Sequence, residues 1–556
     1  MKCKVLIVGG YGTFGGRLVD LLLDQKELTL LVGGRRLEAA ETFCKMRAGK
    51  AGAVLVPQQV SRANAVAAIV THKPDIVVDA SGPFQVYGGD PYSLVKATIA
   101  GRCHYLDLAD GADFVQGIAA YEDAAKHAGV FVLSGLSSFP VLTAAVGRVL
   151  AKDLVVVQEI VAGIAPSPYA GVGLNVVKAI ASYAGQGVEV LQDGKWVRRA
   201  GFIDSRQMQV NVPGKVPLRP IRFALAEVPD LKVLPSIWLT ARDVWIGAGP
   251  TPSLLHRLLW AAAGLVKLGL LKSLLPLAPI MNLVVNNVRW GEHRGGFVMQ
   301  MGGLKNAEKK HLSWHLLAEG DGGPLIPSMA VAAIITNFMN GKQPVVGARS
   351  GHGDLELSDY QFWFDRFGIA TGRREVVQGL RIYEEVLGEG LGRLDAPVRE
   401  FHGVKGSFKV RGEAHVTGGS SLLAGIVRQV FGFPAPQSHC PVEVDIDVSE
   451  TGELWQRRFD GKPMKSFQEL GRGHNAGLII ERFGPVAVAM AVVEDGGRLE
   501  LRLRSWRFFG VPLPKSLLPY GKVYEHGAGG RFNFHVEVKL PIIGHIVTYE
   551  GWLKPI

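Results

Sequence analysis

Val5-Leu-Ile-Val8 leads directly into Gly9-Gly10-Tyr11-Gly12-Thr13-Phe14-Gly15-Gly16, and this stretch decides the fold of the N-terminal third. The four apolar residues predict a buried parallel strand. Apolar residues then recur at helical spacing, at Leu18, Val19, Leu22 and Leu23. A strand, a glycine-rich turn and a helix in this order are the context in which a G-x-G-x-x-G pattern indicates a dinucleotide site.

Each glycine of the pattern has a physical role in binding a diphosphate. Gly10 permits the tight turn, Gly12 lets the backbone approach the diphosphate, and Gly15 lets the helix lie close to the strand. The anion is expected at the N–H groups that begin the helix, at Thr13 and Phe14. The alternative is a glycine-rich turn that binds no ligand.

The second predicted strand, Leu28–Val32, ends in Gly33-Gly34-Arg35-Arg36. An NAD site usually has an acidic residue here, which holds the ribose hydroxyls. Two guanidinium groups instead suit a 2′-phosphate by charge and by their forked geometry. Arg35 and Arg36 therefore predict NADP rather than NAD, and the alternative is a solvated basic turn.

Strands and helices continue to alternate up to residue 145, which predicts an α/β Rossmann domain with a doubly wound parallel sheet. The further strands are expected at 53–56, 75–79, 104–108 and 130–133. The turn after the fourth strand lies at the carboxyl edge, where the nicotinamide end of a cofactor belongs. Its candidate cofactor contacts are Ser81, Gly82, Pro83 and Phe84, with an ordinary strand-to-helix loop as the alternative.

The motif order GGYGTFGGRL, LLVGGRR, DIVVDASGPF, HYLDLADG and GLSSFPVL resembles the saccharopine dehydrogenase-type NADP-binding family. The resemblance implies an oxidoreductase that uses NADP, with Gly10, Gly12 and Gly15 in the phosphate loop and Arg35 at the adenosine phosphate. It further implies that Ala80–Phe84 lies on the nicotinamide side, and Cys103 is the approximate counterpart of a family cysteine. It does not imply a lysine-pathway substrate.

No catalytic residue is assigned from the sequence. The polar side chains expected near the carboxyl edge are Tyr87, His104, Tyr105, Asp107 and Asp110. Each is also open to a structural interpretation. Tyr92-Ser-Leu-Val-Lys96 has the Y-x-x-x-K spacing of short-chain dehydrogenases, but it precedes the strand after which that pair belongs, so we interpret it as coincidental.

Residues 146–375 predict an α+β substrate domain that covers the cofactor. The turn-rich loop Asp321–Pro327 precedes a predicted helix and is interpreted as lining the site or as a simple turn. His311 and His315 are four residues apart, but they lie in a strand-like segment, so no metal site is predicted.

The segment 253–275 is apolar except for His256, Arg257, Lys267 and Lys272. On a helix these four residues fall on one arc, which is the layout of an interfacial helix on an anionic membrane. The alternatives are a helix buried in the substrate domain and a helix in a homodimer contact.

Residues 376–556 contain short alternating segments separated by turns, which predicts a β-rich domain with a curved sheet or open barrel. This part resembles a bacterial domain of unknown function of the DUF4166 type, which implies no chemistry. A curved sheet of this kind either holds an apolar ligand or fills its interior with core side chains.

The composition and charge of the chain exclude some classes of protein function. The chain has 556 residues, a net charge of +11 and four cysteines. No zinc-finger spacing, RNA-binding signature or long basic block points to nucleic acid, and the few cysteines indicate a reducing, cytoplasmic compartment. We therefore expect an NADP-dependent oxidoreductase that transfers hydride to or from an unidentified, hydrophobic carbonyl, imine or alkene. The alternative is a non-catalytic NADP-binding or membrane-associated scaffold.

Overall fold

The computed structural model describes residues 2–85, 89–377 and 379–556. The chain forms two compact units. Unit 1 consists of Met1–Met208 and Ile221–Ala370, and unit 2 consists of Gln209–Pro220 and Thr371–Ile556. The boundaries predicted at 145 and 375 stay predictions. The assignment of a short segment near residue 215 to unit 2 was not anticipated from the sequence.

Unit 1 contains two sheets with helices packed on them. Its helices are α1 (Thr13–Leu22), α2 (Leu37–Ala48), α3 (Ala65–His72), α4 (Ser93–Ala100), α5 (Ala112–Gly117), α6 (Glu122–Ala128), α7 (Thr143–Ala151), α8 (Leu174–Tyr183), α9 (Asp230–Ile237), α10 (Ser253–Lys267), α11 (Ala278–Asn287), α12 (Ile326–Met339) and α13 (Ser358–Arg366). Its strands are β1 (Cys3–Val8), β2 (Leu28–Gly34), β3 (Val54–Gln59), β4 (Ile76–Asp79), β5 (His104–Asp107), β6 (Phe131–Ser134), β7 (Val156–Ala165), β8 (Gly187–Gln192), β9 (Lys195–Ala200), β10 (Ser205–Met208), β11 (Ile221–Leu225), β12 (Asp243–Ala248), β13 (Arg294–Lys305), β14 (Glu308–Glu319) and β15 (Gly347–Ser350).

The first sheet is the predicted Rossmann sheet. Its strands have the order β15-β6-β5-β4-β1-β2-β3 and pair in parallel. The central strand β1 is buried almost throughout, as expected for an apolar strand covered by helices on both faces. The edge strand β15 was missed, because Gly347-Ala-Arg-Ser350 is short and carries no apolar run.

The second sheet of unit 1 is mixed and contains, in order, β10-β11-β12-β7-β13-β14. Strand β7 pairs in parallel with β12 and antiparallel with β13. This arrangement agrees with the predicted α+β region, and the predicted hairpin around Asp193-Gly194 is the β8–β9 hairpin. Helix α12 packs against α1 of the first sheet, and Ser328 Oγ donates a hydrogen bond to the Phe14 carbonyl at 3.1 Å. The second sheet is thereby fixed beside the glycine loop.

Unit 2 is built around one antiparallel sheet that closes on itself. After β16 (Ala370–Glu375), which lies at the junction along the chain, it contains the helices α14 (Ile382–Leu387), α15 (Ala396–Gly403) and α16 (Leu422–Val430). Its strands are β17 (Phe408–Gly418), β18 (Gln437–Ser449), β19 (Gly452–Phe459), β20 (Lys462–Leu470), β21 (Ile479–Phe483), β22 (Val486–Asp495), β23 (Arg498–Phe508), β24 (Val511–Pro512), β25 (Val523–Ala528), β26 (Arg531–Leu540) and β27 (Gly544–Pro555).

The strands of unit 2 form a barrel. They follow the order β22-β21-β20-β19-β18-β17-β27-β26-β25-β23, and β22 also pairs with β23, which closes the ring. The short β24 pairs with β23 outside the ring. The β-rich prediction is confirmed, whereas the expected open barrel is closed. A closed sheet leaves no free edge in the ring, and its alternate residues face a common interior.

Among the described residues, none of the helices is long and apolar enough to cross a membrane.

A buried carboxyl group joins two helices of unit 1. Asp230 at the start of α9 is fully buried and lies in a short hydrogen bond with Thr143 of α7. The Thr143 hydroxyl also donates to the Pro140 carbonyl at 2.9 Å. Burial raises the pKa of Asp230 to about 7, although the hydrogen bond from Thr143 acts in the opposite direction.

We expect this carboxyl to make stability depend on pH. Its pKa is about 7 in the folded protein and ordinarily 3.8. The folded state therefore retains a proton that the unfolded state releases, so the stabilisation is complete below pH 3.8 and is lost as the pH rises through 7. Asp230→Asn keeps the hydrogen bonds but cannot titrate. The difference in thermal midpoint between this variant and the unchanged chain should therefore be about 2–4 °C more favourable to the variant at pH 8 than at pH 5.

The matched control is Asp123→Asn, which changes an exposed carboxylate of the same unit. Differential scanning calorimetry at constant ionic strength gives the midpoints. Identical pH profiles for Asp230→Asn and the unchanged chain would contradict the assignment.

Candidate functional site

The glycine loop between β1 and α1 is folded so tightly that side chains are excluded from it. Gly9 has φ +86°, and the Gly12 N–H donates to the Gly9 carbonyl at 2.9 Å. A Cβ on Gly15 would lie 2.2 Å from the Gly9 oxygen, and one on Gly10 would lie 3.0 Å from Val32 Cγ1. The backbone of the loop and the first turn of α1 are thus brought together at the carboxyl edge of the sheet, where N–H groups can meet an anion.

The tyrosine of this loop connects it to the next strand. The Tyr11 ring lies over Gly34, where a Cβ would come 1.9 Å from Tyr11 Cε1. The Arg36 N–H donates to the Tyr11 hydroxyl at 3.1 Å. Sequence reasoning treated Tyr11 only as a variable position of the glycine pattern. A tyrosine in the loop together with a glycine at the end of β2 is the signal that could have revealed this contact.

The two arginines lie where β2 ends. Arg35 and Arg36 are exposed, and Arg36 immediately precedes α2. Because β1 and β2 are adjacent and parallel, the glycine loop and the arginines share one edge of the sheet. A phosphate bound beside the loop would therefore have two cations within the same crevice.

The loop after β4 is held from two sides. Ser81 donates from both its N–H and its hydroxyl to Asp79 Oδ1, at 3.0 and 2.5 Å. The Gly82 carbonyl accepts a hydrogen bond from Asn175 Nδ2 at 2.6 Å, a contact that sequence reasoning missed. The Phe84 ring is buried and packs on Phe114 at 5.1 Å. The Phe84 side chain thus belongs to the hydrophobic core, while Ser81, Gly82 and Pro83 line the edge.

The acid–base candidates from the sequence do not lie together in the structure. Tyr87 lies outside the described residues. The expectation for His104 was wrong, because it begins β5 at the amino edge and stacks on Phe131 at 3.8 Å. Burial lowers the pKa of His104 to about 4. Tyr105 is fully buried in the core.

The carboxyl of Asp107 supports the turn after β6. Asp107 is fully buried. It accepts hydrogen bonds from the N–H groups of Ala109 and Gly135, at 3.0 and 2.7 Å, and from the Ser134 hydroxyl at 3.0 Å. Burial raises the pKa of Asp107 to about 7. These contacts give Asp107 a structural role within the carboxyl edge.

Two further sequence candidates are occupied with structural contacts. The Tyr92 hydroxyl donates to the Phe114 carbonyl at 2.9 Å, while Lys96 Nζ contacts Asp90 at 3.1 Å. The two side chains therefore do not form a catalytic pair. Cys103 is buried, which raises the pKa of its thiol to about 11, so it is a core residue and not a nucleophile.

A carboxyl group that the sequence did not reveal lies beside Asp110. Burial, reinforced by the charges of Asp113 and Asp110, raises the pKa of Glu227 to about 7. Glu227 also accepts a hydrogen bond from the Ala112 backbone. The pKa of Asp110 is raised by burial as well, and its Oδ1 accepts a hydrogen bond from Gln85 at 3.1 Å. Only the fold could show this pair, since 117 positions separate the two residues.

An apolar cavity of about 280 Å³ opens against the first turn of α1. It lies between the two sheets of unit 1, and the loop Gly323–Pro327 that the sequence singled out lines it. The side chains with polar atoms in its lining are Thr13, Arg17, Ser138, Ser167, Thr251 and Asn286, and the remainder are apolar residues, glycines and prolines. Among the described residues, the Ser138 hydroxyl is buried with no hydrogen-bond partner.

Arg17 is a cation of this cavity that sequence reasoning missed. Its Nη2 donates to the carbonyls of Ala170 and Gly171, at 2.7 and 3.2 Å. Burial lowers the pKa of the guanidinium. The signal in the sequence was a basic residue one turn into the helix that follows the glycine loop.

Helices α10 and α11 separate the cavity from an apolar surface. Leu255 and Leu259 of α10 and Met281 and Val285 of α11 line the cavity. The predicted basic arc of four residues is wrong for two of them. His256 is only 5% exposed, and Lys272 lies beyond the end of α10. On the outer side, the exposed apolar residues are Leu254, Leu258, Trp260, Leu265, Leu268, Leu270, Leu275, Leu277, Ile280, Leu283, Val284 and Trp290.

The comparisons with known proteins agree with this geometry. Residues 5–133 match the family described as saccharopine dehydrogenase NADP binding domain. Residues 394–553 match a domain of unknown function, DUF4166, so both predicted resemblances are confirmed. The matched N-terminal domain is that of nucleotide-dependent oxidoreductases, and no curated protein matches the chain.

Solved dehydrogenase structures show weak similarity. GenD2 from gentamicin A biosynthesis, in complex with NAD, is 14% identical with a TM-score of 0.27, covering 56% of this chain and 72% of its own. The MviM dehydrogenase from Clostridium difficile is 7% identical, with a TM-score of 0.30 and coverage of 66% and 99%. The WlbA dehydrogenase from Thermus thermophilus, in complex with NAD and alpha-ketoglutarate, is 11% identical, with a TM-score of 0.29 and coverage of 61% and 89%. These scores carry no argument about the reaction.

Proposed function

We propose that the chain is an NADP-dependent oxidoreductase of the saccharopine dehydrogenase-like type that acts on a hydrophobic carbonyl, imine or alkene. The observation that carries the proposal is the apolar cavity that meets α1 beside the glycine loop. Ligand sites are typically apolar clefts with a few polar groups that orient the substrate. Here a long apolar substrate would be enclosed, with its reacting group near the cofactor crevice.

The residues of the crevice fit a dinucleotide phosphate. The contact between Gly15 and Gly9 leaves a surface of backbone N–H groups with no side chain in the way of a diphosphate. Arg35 and Arg36 would hold the 2′-phosphate through charge-assisted hydrogen bonds, and Ser81 and Gly82 would border the nicotinamide. NADPH supplies the hydride when bound.

We propose a role in the reaction for two groups of this chain. The unpaired Ser138 hydroxyl would donate a hydrogen bond to a substrate oxygen or nitrogen in the apolar cavity, where such bonds are strengthened. Glu227, with a pKa of about 7, is the candidate acid for the proton that accompanies hydride transfer. The four free, buried cysteines support a reducing, cytoplasmic location.

A specific observation also favours a non-catalytic NADP-binding scaffold. Over the described part of the chain, the cavity lining contains no Asp, Glu, His, Lys or Tyr side chain. A scaffold needs no such group, whereas an enzyme needs one nearby, as Glu227 would be. NADPH turnover with apolar carbonyl and imine substrates separates these two functions.

Reversing the charge of both arginines should change the cofactor preference. Arg35→Glu with Arg36→Glu should weaken NADPH binding about 100–10,000-fold, since each of the two charged hydrogen bonds contributes about 1.5–3 kcal/mol. NADH binding should change less than about threefold, because NADH has no 2′-phosphate. Lys45→Glu, near the far end of α2, is the charge control. Nucleotide fluorescence titration measures the affinity of each protein for both nucleotides, and equal losses for both nucleotides in the double variant would refute the 2′-phosphate site.

Turnover should require the apolar cavity. NADPH oxidation is followed with saturated and unsaturated aldehydes and imines of increasing chain length, and longer chains should lower KM. Val285→Trp fills the cavity and should raise KM for long substrates about tenfold without changing NADPH affinity. Its neighbour Val284 is exposed, so Val284→Trp is the matched control. Tight NADPH binding without turnover in any class would instead support the scaffold.

We also propose that the outer face of α10 and α11 meets an anionic membrane. No acidic residue lies between Asp243 and Glu292, whereas Arg257, Lys267 and Lys272 are present and exposed. Exposed apolar groups with flanking cations are the composition of an interfacial surface. A bilayer at this surface would place apolar substrates directly outside the cavity wall.

Flotation with phosphatidylcholine–phosphatidylglycerol vesicles tests this contact. Leu268→Glu with Leu283→Glu should reduce the vesicle-bound fraction at least about threefold, because each change places a charge in the interface. Val70→Glu, at an exposed residue of α3, is the control. If flotation is unchanged and light scattering shows that the double variant dissociates a dimer, the surface is a homodimer contact and the membrane proposal is wrong.

A further inference from the structure

The barrel of unit 2 encloses an apolar cavity of about 430 Å³. We propose that this lumen is a binding site for the hydrocarbon chain of a membrane lipid, which enters from an anionic bilayer through the open end of the barrel. The inference is independent of the proposed oxidoreductase activity, because none of its residues belongs to unit 1.

The wall of the lumen is made by the inward residues of successive strands. On β26 these are alternate residues, Phe532, Phe534, Val536, Val538 and Leu540. Strands β18, β22, β23 and β27 contribute further valine, leucine, methionine and aromatic side chains. A lumen of this volume lies in the range of ligand sites, about 300–1,000 Å³. Water would find few polar partners along such a wall, so an apolar ligand is the favoured occupant.

The polar groups at the lumen are already paired within the barrel. Arg457 donates to Ser466 Oγ at 2.7 Å and to Glu481 at 3.3 Å. The Tyr383 hydroxyl donates to Gln468 at 3.0 Å. The Arg457 and Glu481 charges compensate each other, and so the lumen presents no unpaired charge from them. The enclosed part of a ligand is therefore expected to be uncharged.

A second buried pair lies at the end that α14 and α15 cover, and one of its members, Glu525, also lines the lumen. His402 Nε2 contacts Glu525 Oε2 at 2.5 Å, and the His402 ring packs against Tyr383 at 3.9 Å. Both side chains of the pair are buried. This end of the barrel is therefore plugged by packed aromatic and hydrogen-bonded groups, and a ligand enters at the opposite end.

The strand connections show which elements surround that opposite end. Because neighbouring strands are antiparallel, helix α16 between β17 and β18, the segment between β23 and β25, and the β26–β27 turn all lie at one end. Large exposed apolar side chains are concentrated on these elements. They are Leu422, Leu423, Ile426, Val430, Phe508, Phe509, Val511, Leu517, Tyr520 and Ile542. We call this set the rim.

The rim is continuous with the lumen and has a basic character. Val427 and Phe431 face the lumen, while Ile426 and Val430 of the same helical stretch are exposed. No acidic residue lies between Glu413 and Glu443 or between Glu500 and Glu525, and the second interval contains five basic residues. An apolar rim with flanking cations complements an anionic bilayer. The occupant of the rim is therefore proposed to be lipid.

Binding of phenylnaphthylamine, an uncharged apolar fluorophore, to the full chain tests the lumen. Val536→Trp and Val538→Trp place large rings on half-buried wall positions. Each should weaken the binding of phenylnaphthylamine to one class of sites about tenfold. Val376→Trp changes an exposed valine outside the lining and is the matched control. Oleyl alcohol should displace the fluorophore from the site that the wall variants lose.

The readout is the difference between the wall variants and the control, since unit 1 has an apolar cavity of its own. Circular dichroism melting confirms that each variant folds. Two wall positions are changed separately, so that the test still stands if one of the two variants does not fold. Equal binding by folded wall variants and the control would overturn the lumen site. The result does not depend on NADPH, so failure here leaves the oxidoreductase proposal unaffected.

The rim is tested by flotation with the same vesicles in a chain that already carries Leu268→Glu and Leu283→Glu. Adding Val430→Glu and Ile542→Glu should reduce the bound fraction at least about threefold while phenylnaphthylamine binding in solution is retained. Val376→Glu is the control. Flotation that is equal in the rim variant and the control would overturn uptake from a bilayer, and the rim would then be a surface for a protein partner.

Discussion

Helix α1 begins against the carbonyl oxygen of Gly9, and the arrangement of unit 1 follows from this contact. A side chain at position 15 would meet that oxygen at 2.2 Å, so the approach is available only to glycine. The contact aims the first N–H groups of α1 into the crevice at the end of the sheet. It also fixes the Phe14 carbonyl that Ser328 binds, which places α12 and the cavity beside the loop.

Over the described residues, unit 1 keeps its carboxyl groups out of the lining of its apolar cavity. Asp107 and Asp230 are buried in hydrogen-bonded positions within the packing of the strands and helices, where burial raises the pKa of each to about 7. Arg17 and Ser138 are two of the polar side chains in the lining. A hydrogen bond from either group acts in surroundings with little water, where its electrostatic strength is greater than at the surface. Selectivity for a substrate would then depend on shape and on one or two such bonds.

The N-terminal sheet could be predicted well because each of its signals is local. The apolar run before Gly9 and the glycine spacing after it are readable in one window of sequence. The cavity could not be predicted, since its lining comes from residues between Thr13 and Pro327 that only the fold brings together. For the same reason Glu227 escaped notice, because its pKa depends on burial beside Asp110 and Asp113. His104 was misplaced since a strand's polar end residue does not reveal which edge it occupies.

The edge strand of the Rossmann sheet comes from a part of the sequence far from the other strands. Strand β6 ends at Ser134, and its outer partner β15 begins only at Gly347, after the chain has passed through the whole second sheet. During synthesis the hydrogen-bonding groups of β6 on that side stay unsatisfied until more than two hundred further residues have left the ribosome. A fragment that stops near residue 145 would expose this unpaired strand edge to other molecules. The nucleotide-binding domain is therefore not suited to expression without the rest of unit 1.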